Sequence, residues 1–361
     1  MPRNTTRRHR RTVITVIVVA ELVVALLTGA GVVFAYQRVD SKIDEGGAIV
    51  HPPGVERAEP ELPTGAFNLL VIGTDTRDCD GCGIDKEGGL GGSDLTMLLH
   101  VADGRREAYG ISIPRDTLVD RPECHDGRKA IPAASQVPWN EAYAVGGAPC
   151  TVAQTEAVTG VFIDDYVVVD FGGFKDMVDA IGGVQVCIPA DIDDDEHNIH
   201  LDAGTQVLHG EDALAYVRQR TSTPNSDLGR MKRQQAFVAS MLSRVMSANT
   251  LSRPDKLYKF ASALADSITT NPELASVGEL VQLASSVRHA DLAKIRFVTA
   301  PTAEFPLGDP NWGRLQLTPE ADQLWQKVID DEPLGAFGRG AISGRNPSGS
   351  AENAAANGLC A

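Results

Sequence analysis

The chain has 361 residues, 48 of them Asp or Glu and 33 Lys or Arg, which gives a formal net charge of −15. This acidic balance argues against binding DNA or RNA through a basic surface, and the sequence carries no nucleic-acid recognition motif. The length allows one large domain of about 270 residues with shorter flanking segments.

The first predicted element is a transmembrane helix at residues 13–36. This run is apolar apart from two threonines and Glu21, and it exceeds the roughly 20 helical residues that cross a bilayer core. Five arginines in residues 1–12 keep that end in the cytoplasm by the positive-inside rule. Residues 37–361 are therefore expected on the outer side of the cell membrane. A cleaved secretory signal is the alternative, but the run is long for one and no small-x-small site follows it.

Charge and cysteine content agree with an exported domain. The first 36 residues carry a net charge of +4, so the rest of the chain carries −19. Six cysteines in an exported chain favour disulfides over metal binding, because no His and Cys spacing resembles a zinc site. Cys79 and Cys82 could close a tight loop, but the sequence leaves the connectivity open.

Polar and apolar segments then alternate. Residues 37–64 are rich in Pro, Gly and Glu, which predicts a spacer before a folded domain over residues 65–335. The glycine-rich residues 75–93 predict a loop at the mouth of a site. Short apolar runs bounded by turn residues predict buried strands at residues 67–73, 96–101 and 109–113.

Helices and strands alternate farther along the chain. Helices are predicted at residues 140–145, 151–159, 174–181, 210–217 and 228–246. Further strands are predicted at residues 166–171, 184–188 and 295–300. This order predicts an α/β fold, a mixed central sheet flanked by helices in an αβα sandwich. Residues 336–361, rich in Gly, Ser, Asn and Ala, predict a disordered tail.

Two carboxylates lie on opposite sides of the glycine-rich loop. Asp75 follows the first predicted strand, and Asp94 precedes the second. Oxygen ligands of this kind can converge on one hard cation. Asp at a turn is more commonly a capping or turn residue, so this spacing alone does not define a metal site.

An arginine and a carboxylate follow the third predicted strand. Residues 112–117 place Arg115 and Asp116 in a loop, where Pro114 cannot continue a hydrogen-bonded ladder. A planar guanidinium at this position suits a phosphate. A surface ion pair with a neighbouring residue is the alternative interpretation.

Other arginines fall on predicted helices. Arg218 and Arg220 bracket one residue where an apolar helix ends, and Arg230 and Gln234 share a face near the start of the next helix. Helix starts favour acidic residues because of the helix dipole, so an arginine there indicates a bound anion. Together with the two aspartates, these arginines fit a diphosphate bridged by a divalent metal. Serine-hydrolase chemistry is the rival, and no G-x-S-x-G elbow is present.

In these motifs the chain resembles the LytR-CpsA-Psr family of membrane-anchored cell-wall phosphotransferases. The resemblance runs in order through most of residues 67–240. Its clearest segments are LLVIGTDTR at residues 69–77, SIPRDTLV at residues 112–119, ALAYVRQR at residues 213–220 and DLGRMKRQQ at residues 227–235.

The resemblance implies an enzyme that moves an anionic glycopolymer from a polyprenyl-pyrophosphate carrier to peptidoglycan, with magnesium or manganese. A teichoic acid, arabinogalactan or a capsule would each fit as the polymer. Asp75 and Asp94 match the family's metal carboxylates. The family's pyrophosphate clamp is matched by Arg115, Arg218 and Arg220, and Arg77, Arg230 and Gln234 match further positions expected at the pyrophosphate.

The resemblance leaves the proton acceptor and the acceptor specificity open. Asp116 or Asp227 could take the proton of the acceptor hydroxyl, beside Arg115 in the catalytic set. Pro138 and Trp139 stand where the family commonly has Lys and Ile. Two alternative functions are a polyprenyl-pyrophosphate hydrolase and a non-catalytic envelope receptor or regulator that binds lipid-linked glycans.

Overall fold

A computed structural model describes most of the chain. The described residues are 21, 25–26, 28–55, 65–74, 92–127, 129–195, 199–219, 226–246, 254–287, 290–349, 354 and 359–360. They fall into two compact units, Met1–Lys42 and Ile43–Ala361. In the first unit residues 28–40 form helix α1. Of the predicted transmembrane helix, residues 13–20, 22–24 and 27 lie outside the described set, and among the helices inside it none has the length and apolar character to span a bilayer.

The second unit is built on an eight-stranded sheet with the strand order β1-β14-β9-β2-β3-β4-β15-β18, and the other strands form two-stranded pairs. In chain order the strands are β1 (Asp44–Glu45), β2 (Phe67–Thr74), β3 (Ser93–Val101), β4 (Ala108–Ile113), β5 (Leu118–Arg121), β6 (Cys124–His125), β7 (Ala130–Ile131), β8 (Ala134–Pro138), β9 (Asp165–Val169), β10 (Val184–Ile188), β11 (Ile192–Asp194), β12 (Ile199–Leu201), β13 (Gly204–Leu208), β14 (Ile268–Thr270), β15 (Ile295–Thr299), β16 (Thr302–Glu304), β17 (Leu315–Leu317) and β18 (Ile342–Ser343).

Helices cover both faces of this sheet. They are α2 (Glu141–Thr159), α3 (Phe171–Ala180), α4 (Gly210–Arg218), α5 (Ser226–Met246), α6 (Pro254–Ser267), α7 (Val277–Val287) and α8 (Pro319–Ile329), with short 3-10 turns at Asp103–Arg105 and Gly335–Gly338. The helices predicted at residues 140–145 and 151–159 correspond to α2, where the non-helical backbone of Gly147 separates two helical stretches and Pro149 follows the kink.

Period-two alternation places the core on both faces of the sheet. Leu70 and Ile72 of β2 pack with α2 and α8, in a cluster that includes Trp325. Val71, between them, packs on the other face, where α5 contributes Ala236. The central strand β4 is buried along its whole length because both faces are covered. The predicted mixed α/β sheet flanked by helices is confirmed.

The strand directions create one edge where several strands end together. Strands β2 and β9 are parallel, as are β4 and β15, and β3 runs antiparallel between β2 and β4. The carboxyl ends of these four parallel strands therefore meet the beginning of β3 at one edge of the sheet. Ligands of open α/β sheets commonly bind at such an edge.

The segment before the domain differs from the predicted spacer. Residues 43–55, which we call the strap, contact the rest of the domain at residues 44–47, 49 and 51. Strand β1 pairs with β14, and the Gly46 amide donates to the Thr270 carbonyl at 2.7 Å. His51 Nδ1 lies 2.7 Å from the buried Glu156 Oε1. Backbone pairing and one buried acidic partner therefore order a segment whose composition alone indicated a linker.

The predicted disordered tail also differs from the structure. Within residues 336–361, β18 pairs antiparallel with β15 and forms one edge of the sheet, and Cys360 forms a disulfide with Cys187 of β10. Leu359 is buried beside it. A covalent link and pairing with β15, neither visible in local composition, account for this order.

Among the described cysteines a second disulfide joins Cys124 to Cys150. It ties the small β6–β7 pair to α2. Cys79 and Cys82 lie outside the described residues.

Candidate functional site

The part of the predicted site that the structure describes best surrounds Arg115. Its Nη1 donates to Asp94 Oδ1 at 2.6 Å, and its Nε lies 3.4 Å from Asp116 Oδ2. Asp94 belongs to β3 near its start, and Arg115 follows β4, so the antiparallel pairing of these strands brings the two residues together. One charge-assisted hydrogen bond to Asp94 and one ion pair with Asp116 thus restrain the guanidinium.

Backbone hydrogen bonds hold the loop that carries Arg115. The Thr117 amide donates to the Pro114 carbonyl at 3.1 Å, which forms a turn around Arg115 and Asp116. The Asn140 amide, at the start of α2, donates to the Arg115 carbonyl at 3.2 Å. The guanidinium is therefore presented by a braced turn.

Asp116 links the loop to a distant segment. Its Oδ1 accepts a hydrogen bond from Arg314, and its carbonyl accepts from the Leu315 amide at 3.2 Å. The carboxylate thus lies between the Arg115 and Arg314 guanidinium groups. Sequence reasoning missed Arg314, because nothing in its local pattern indicates a partner 198 positions away.

Arg218 is the last residue of α4. Its guanidinium lies over the Phe171 ring, 4.5 Å from the centroid, in a cation–π contact. Phe171 begins α3 directly after Asp170, whose side chain caps that helix by accepting from the Gly173 amide at 2.6 Å. Since β9 ends at Val169, Arg218 lies at the same sheet edge as Arg115.

Helix α5 connects the two arginine segments. Gln234 Nε2 donates to the Val217 carbonyl at 3.2 Å, next to Arg218. The adjacent Gln235 is buried and donates to Ser112 Oγ at 3.0 Å, three residues before Arg115. Sequence reasoning also missed Gln235. From within the core, this residue helps to fix the distance between the segments that carry Arg115 and Arg218.

Gln235 also reaches β15, where Nε2 lies 2.9 Å from the Val298 carbonyl and 3.1 Å from Thr299 Oγ1. Only its position beside Gln234 in the motif gave a sequence signal.

Buried cations on α5 give the site a positive interior. Arg230 and Arg233 are both almost completely buried, and Arg233 donates to the Gln219 carbonyl just after Arg218. Burial lowers the pKa of Lys232 and of Arg233 from their ordinary values, because the charged form loses hydration. An anion bound beside these groups would offset that cost.

Several predicted site residues fall outside the described set. They are Asp75, Arg77 and Arg220, together with the side chain of Asp227. Within the residues that are described, no group of three or more His, Cys, Asp or Glu is close enough to hold a metal ion. The part of the site that can be compared with the prediction is thus Asp94, Arg115, Asp116, Arg218, Arg230 and Gln234.

Pro138 and Trp139, which stand where the family commonly has Lys and Ile, have a structural role. Pro138 ends β8 opposite Leu118 of β5, and Trp139 is fully buried in the core beside the sheet. The Trp139 amide donates to the Thr117 carbonyl at 2.9 Å. These two residues therefore brace the Arg115 loop from within the core.

The described residues define a mixed α/β protein with two arginines, Arg115 and Arg218, at the carboxyl ends of its parallel strands. The chain belongs to the LytR_cpsA_psr family, whose model matches residues 37–328.

Two curated relatives and one solved structure illustrate the likeness. Cell wall biosynthesis protein LcpA of Corynebacterium glutamicum is 30% identical over 72% of this chain and 54% of its own length. Polyisoprenyl-teichoic acid–peptidoglycan teichoic acid transferase TagV of Bacillus subtilis is 31% identical over 61% of this chain and 53% of its own. The chain thus spans about half the length of these curated relatives.

The structure titled LytR-Csp2A-Psr enzyme from Actinomyces oris superposes with a TM-score of 0.60. It is 21% identical in sequence and covers 80% of this chain and 96% of its own. At this identity the likeness shows the fold alone.

Proposed function

We propose that this protein is a phosphotransferase that attaches an anionic glycopolymer from a polyprenyl-pyrophosphate carrier to peptidoglycan. The observation that carries the proposal is Arg115, held between Asp94 and Asp116 at the edge where Arg218 also lies. The family membership and the transferase name of the TagV relative support the same reaction class.

The chemistry is an exchange of one P–O bond for another. The acceptor hydroxyl oxygen bonds to the glycan-linked phosphorus, the bond to the carrier's phosphate breaks, and polyprenyl phosphate leaves. The hydroxyl proton passes to a base, for which Asp116 and Asp227 stay the candidates. Phosphoryl transfer depends mainly on positioning and charge stabilisation, which fixed guanidinium groups supply.

A divalent metal is part of the proposal. Asp94 offers hard carboxylate oxygens beside the arginine that would contact the diphosphate, and Mg²⁺ is commonly held by one or two carboxylates plus substrate phosphate. Asp94, with Asp75, would hold the ion, which would supply charge neutralisation at the phosphate oxygens. Manganese fits the same donors.

Membrane attachment is likewise proposed. The apolar run of residues 13–36 after five arginines supports a single anchor with the N-terminus in the cytoplasm. A lipid-linked substrate would then be delivered on the side where the domain lies.

The test is release of polyprenyl phosphate from a polyprenyl-pyrophosphate glycan by the full-length protein in vesicles, with and without magnesium. Arg115→Ala and Arg218→Ala should each lower turnover by about 100-fold or more, because a fixed charge donor to the phosphate is lost. The matched control is Arg345→Ala, since Arg345 is an exposed arginine paired with Asp291. It should leave turnover unchanged.

Three results separate the alternatives. Product on peptidoglycan identifies transfer, whereas release that ignores added peptidoglycan identifies a hydrolase. Binding of the lipid-linked glycan without cleavage, with magnesium and acceptor present, would replace the enzyme by a receptor.

A further inference from the structure

The loop between β16 and β17 presents two large apolar side chains. Leu307 is 85% exposed, the most exposed large apolar side chain in the described structure, and Trp312 is 62% exposed. The other two tryptophans, Trp139 and Trp325, are buried. Two such residues within one loop of a single chain form a candidate interaction surface.

Turn geometry holds both side chains outward. The Asp309 amide donates to the Pro306 carbonyl at 3.0 Å, and the Arg314 amide donates to the Asn311 carbonyl at 2.9 Å. Each turn has a glycine with positive φ at its third position, Gly308 at 96° and Gly313 at 89°. Leu307 and Trp312 therefore each occupy the corner of a turn.

The loop carries little charge. Between Phe305 and Gly313 its one ionisable side chain is Asp309, whose Oδ1 accepts from the Asn311 amide at 2.8 Å. Basic residues that would seek a phosphate or an acidic protein are absent from these positions of the sequence. The loop tip is thus apolar with an indole N–H, a combination that suits a membrane interface.

The loop is attached to the arginine site. Arg314 bonds to Asp116, and Thr117 forms a β-bridge with Leu315. Trp312 is two residues from Arg314, so their Cα atoms are at most about 7 Å apart. Whatever surface receives the loop tip therefore lies close to the Arg115 loop.

We propose that Leu307 and Trp312 insert into the interfacial layer of the membrane and hold the arginine site at the level of the carrier's diphosphate. This rests on the proposed function, in which the substrate is lipid-linked. A membrane accounts for both residues, whereas a sugar ring stacked on Trp312 would leave Leu307 unexplained.

The experiment uses tryptophan fluorescence of the full chain in neutral phosphatidylcholine vesicles, with or without bromine on the acyl chains. Bromine quenches only an indole that reaches the lipid, and residues 1–64 contain no tryptophan. Brominated lipid should remove about one third of the emission, the share of one tryptophan in three. Trp312→Phe should abolish the quenching, and Leu307→Ser should reduce it.

Val281→Ser, which alters an exposed apolar residue on α7, serves as the matched control and should leave the quenching unchanged. Flotation with the vesicles verifies attachment in every sample. Attached protein whose emission is equal in both lipids would overturn the proposal, as would a Trp312 signal that responds only to a lipid-free glycan.

Turnover measured on the same proteins distinguishes the membrane-contact proposal from the transferase proposal. Arg115→Ala should lose turnover and retain quenching. Quenching without turnover in the unaltered protein contradicts the transferase proposal and leaves the membrane contact in place.

Discussion

Asp116 shows how one carboxylate can hold a neighbouring arginine of the site in place. Its carboxylate is shared by Arg115 and Arg314, and Arg115 also binds Asp94. In this chain of ion pairs, Arg314 limits the positions that Asp116 can take, and Asp116 in turn orients Arg115. Arg314 is thus a positioning residue for the proposed reaction.

Removal of the Arg314 charge tests this role. Arg314→Gln should lower kcat by about tenfold, which corresponds to about 1.4 kcal/mol of transition-state stabilisation. KM should change less, because Arg115 and Arg218 remain. Arg314→Lys should recover part of the rate, and Arg345→Gln serves as the control. A uniform loss in both Arg314 variants, matched by a lower unfolding temperature, would indicate a purely structural role.

His100 makes stability depend on pH. Its ring is buried, with Nδ1 2.8 Å from Asn68 Oδ1 and Nε2 2.9 Å from Asp331 Oδ1. Burial lowers the pKa of His100 below its usual 6.5, although the hydrogen bond to Asp331 opposes this. The unfolded chain then binds more protons than the folded one as pH falls through 6.5, so stability is lost on acidification.

We expect the free energy of unfolding to fall between pH 7 and pH 5, by about 1.4 kcal/mol for each unit by which the pKa is lowered. His100→Gln should flatten this part of the profile, at a cost in stability at pH 7. Urea unfolding at pH 7 and at pH 5 measures the free energy of unfolding of both proteins. An identical pH slope in the variant would contradict the assignment to His100.

Among the elements, α5 joins the sheet to the arginine segments. One face packs Ala236 against β15, while Gln234 and Gln235 bond to α4 and to the strand ends. The Nε2 atom of Gln235 lies within hydrogen-bond distance of three acceptors on β4 and β15, and its two hydrogens fix the helix relative to these strands. Displacement of this helix would move Arg218 relative to Arg115.

Gln235→Leu should therefore destabilise the domain by about 2 to 3 kcal/mol, because the buried partners of Gln235 lose their donor. Gln326→Leu on the exposed face of α8 is the control, with a change under about 0.5 kcal/mol. Urea unfolding gives both values. A Gln235→Leu protein as stable as the control would show that water or another donor replaces the amide.

The sequence predicts the strands and helices around the site because their signals are local. Leu70 and Ile72 belong to a short apolar run bounded by turn residues, and the apolar spacing in α5 is helical. The Arg314–Asp116 pair, the strap and β18 have no local signal, since each depends on a partner far along the chain. The contact between Asp94 and Arg115 is partly predictable from the sequence, because consecutive strands commonly pair with each other.

At the scale of the whole molecule, segments near both ends of the second unit are fastened to the rest of that unit. The strap binds through Gly46 and His51, and Tyr166 donates its hydroxyl hydrogen to the Gly47 carbonyl at 2.7 Å. The far end is fastened covalently through Cys187 and Cys360. The first attachment holds a segment whose composition indicated a spacer, and the second holds one whose composition indicated a disordered tail.

The two described disulfides should contribute unequally to this order. Cys187 and Cys360 are 173 positions apart, whereas Cys124 and Cys150 are 26 apart. In the chain-entropy model a longer loop restrains the unfolded state more, with losses of about 5 and about 3.5 kcal/mol on removal. Urea unfolding of the two double Cys→Ser variants compares them.

The larger loss should follow removal of Cys187–Cys360. Equal losses, or a larger one at Cys124–Cys150, would mean that native contacts around α2 outweigh chain entropy. In the expected case, the domain gains its greater restraint from the Cys187–Cys360 bond, because that bond closes the longer of the two loops.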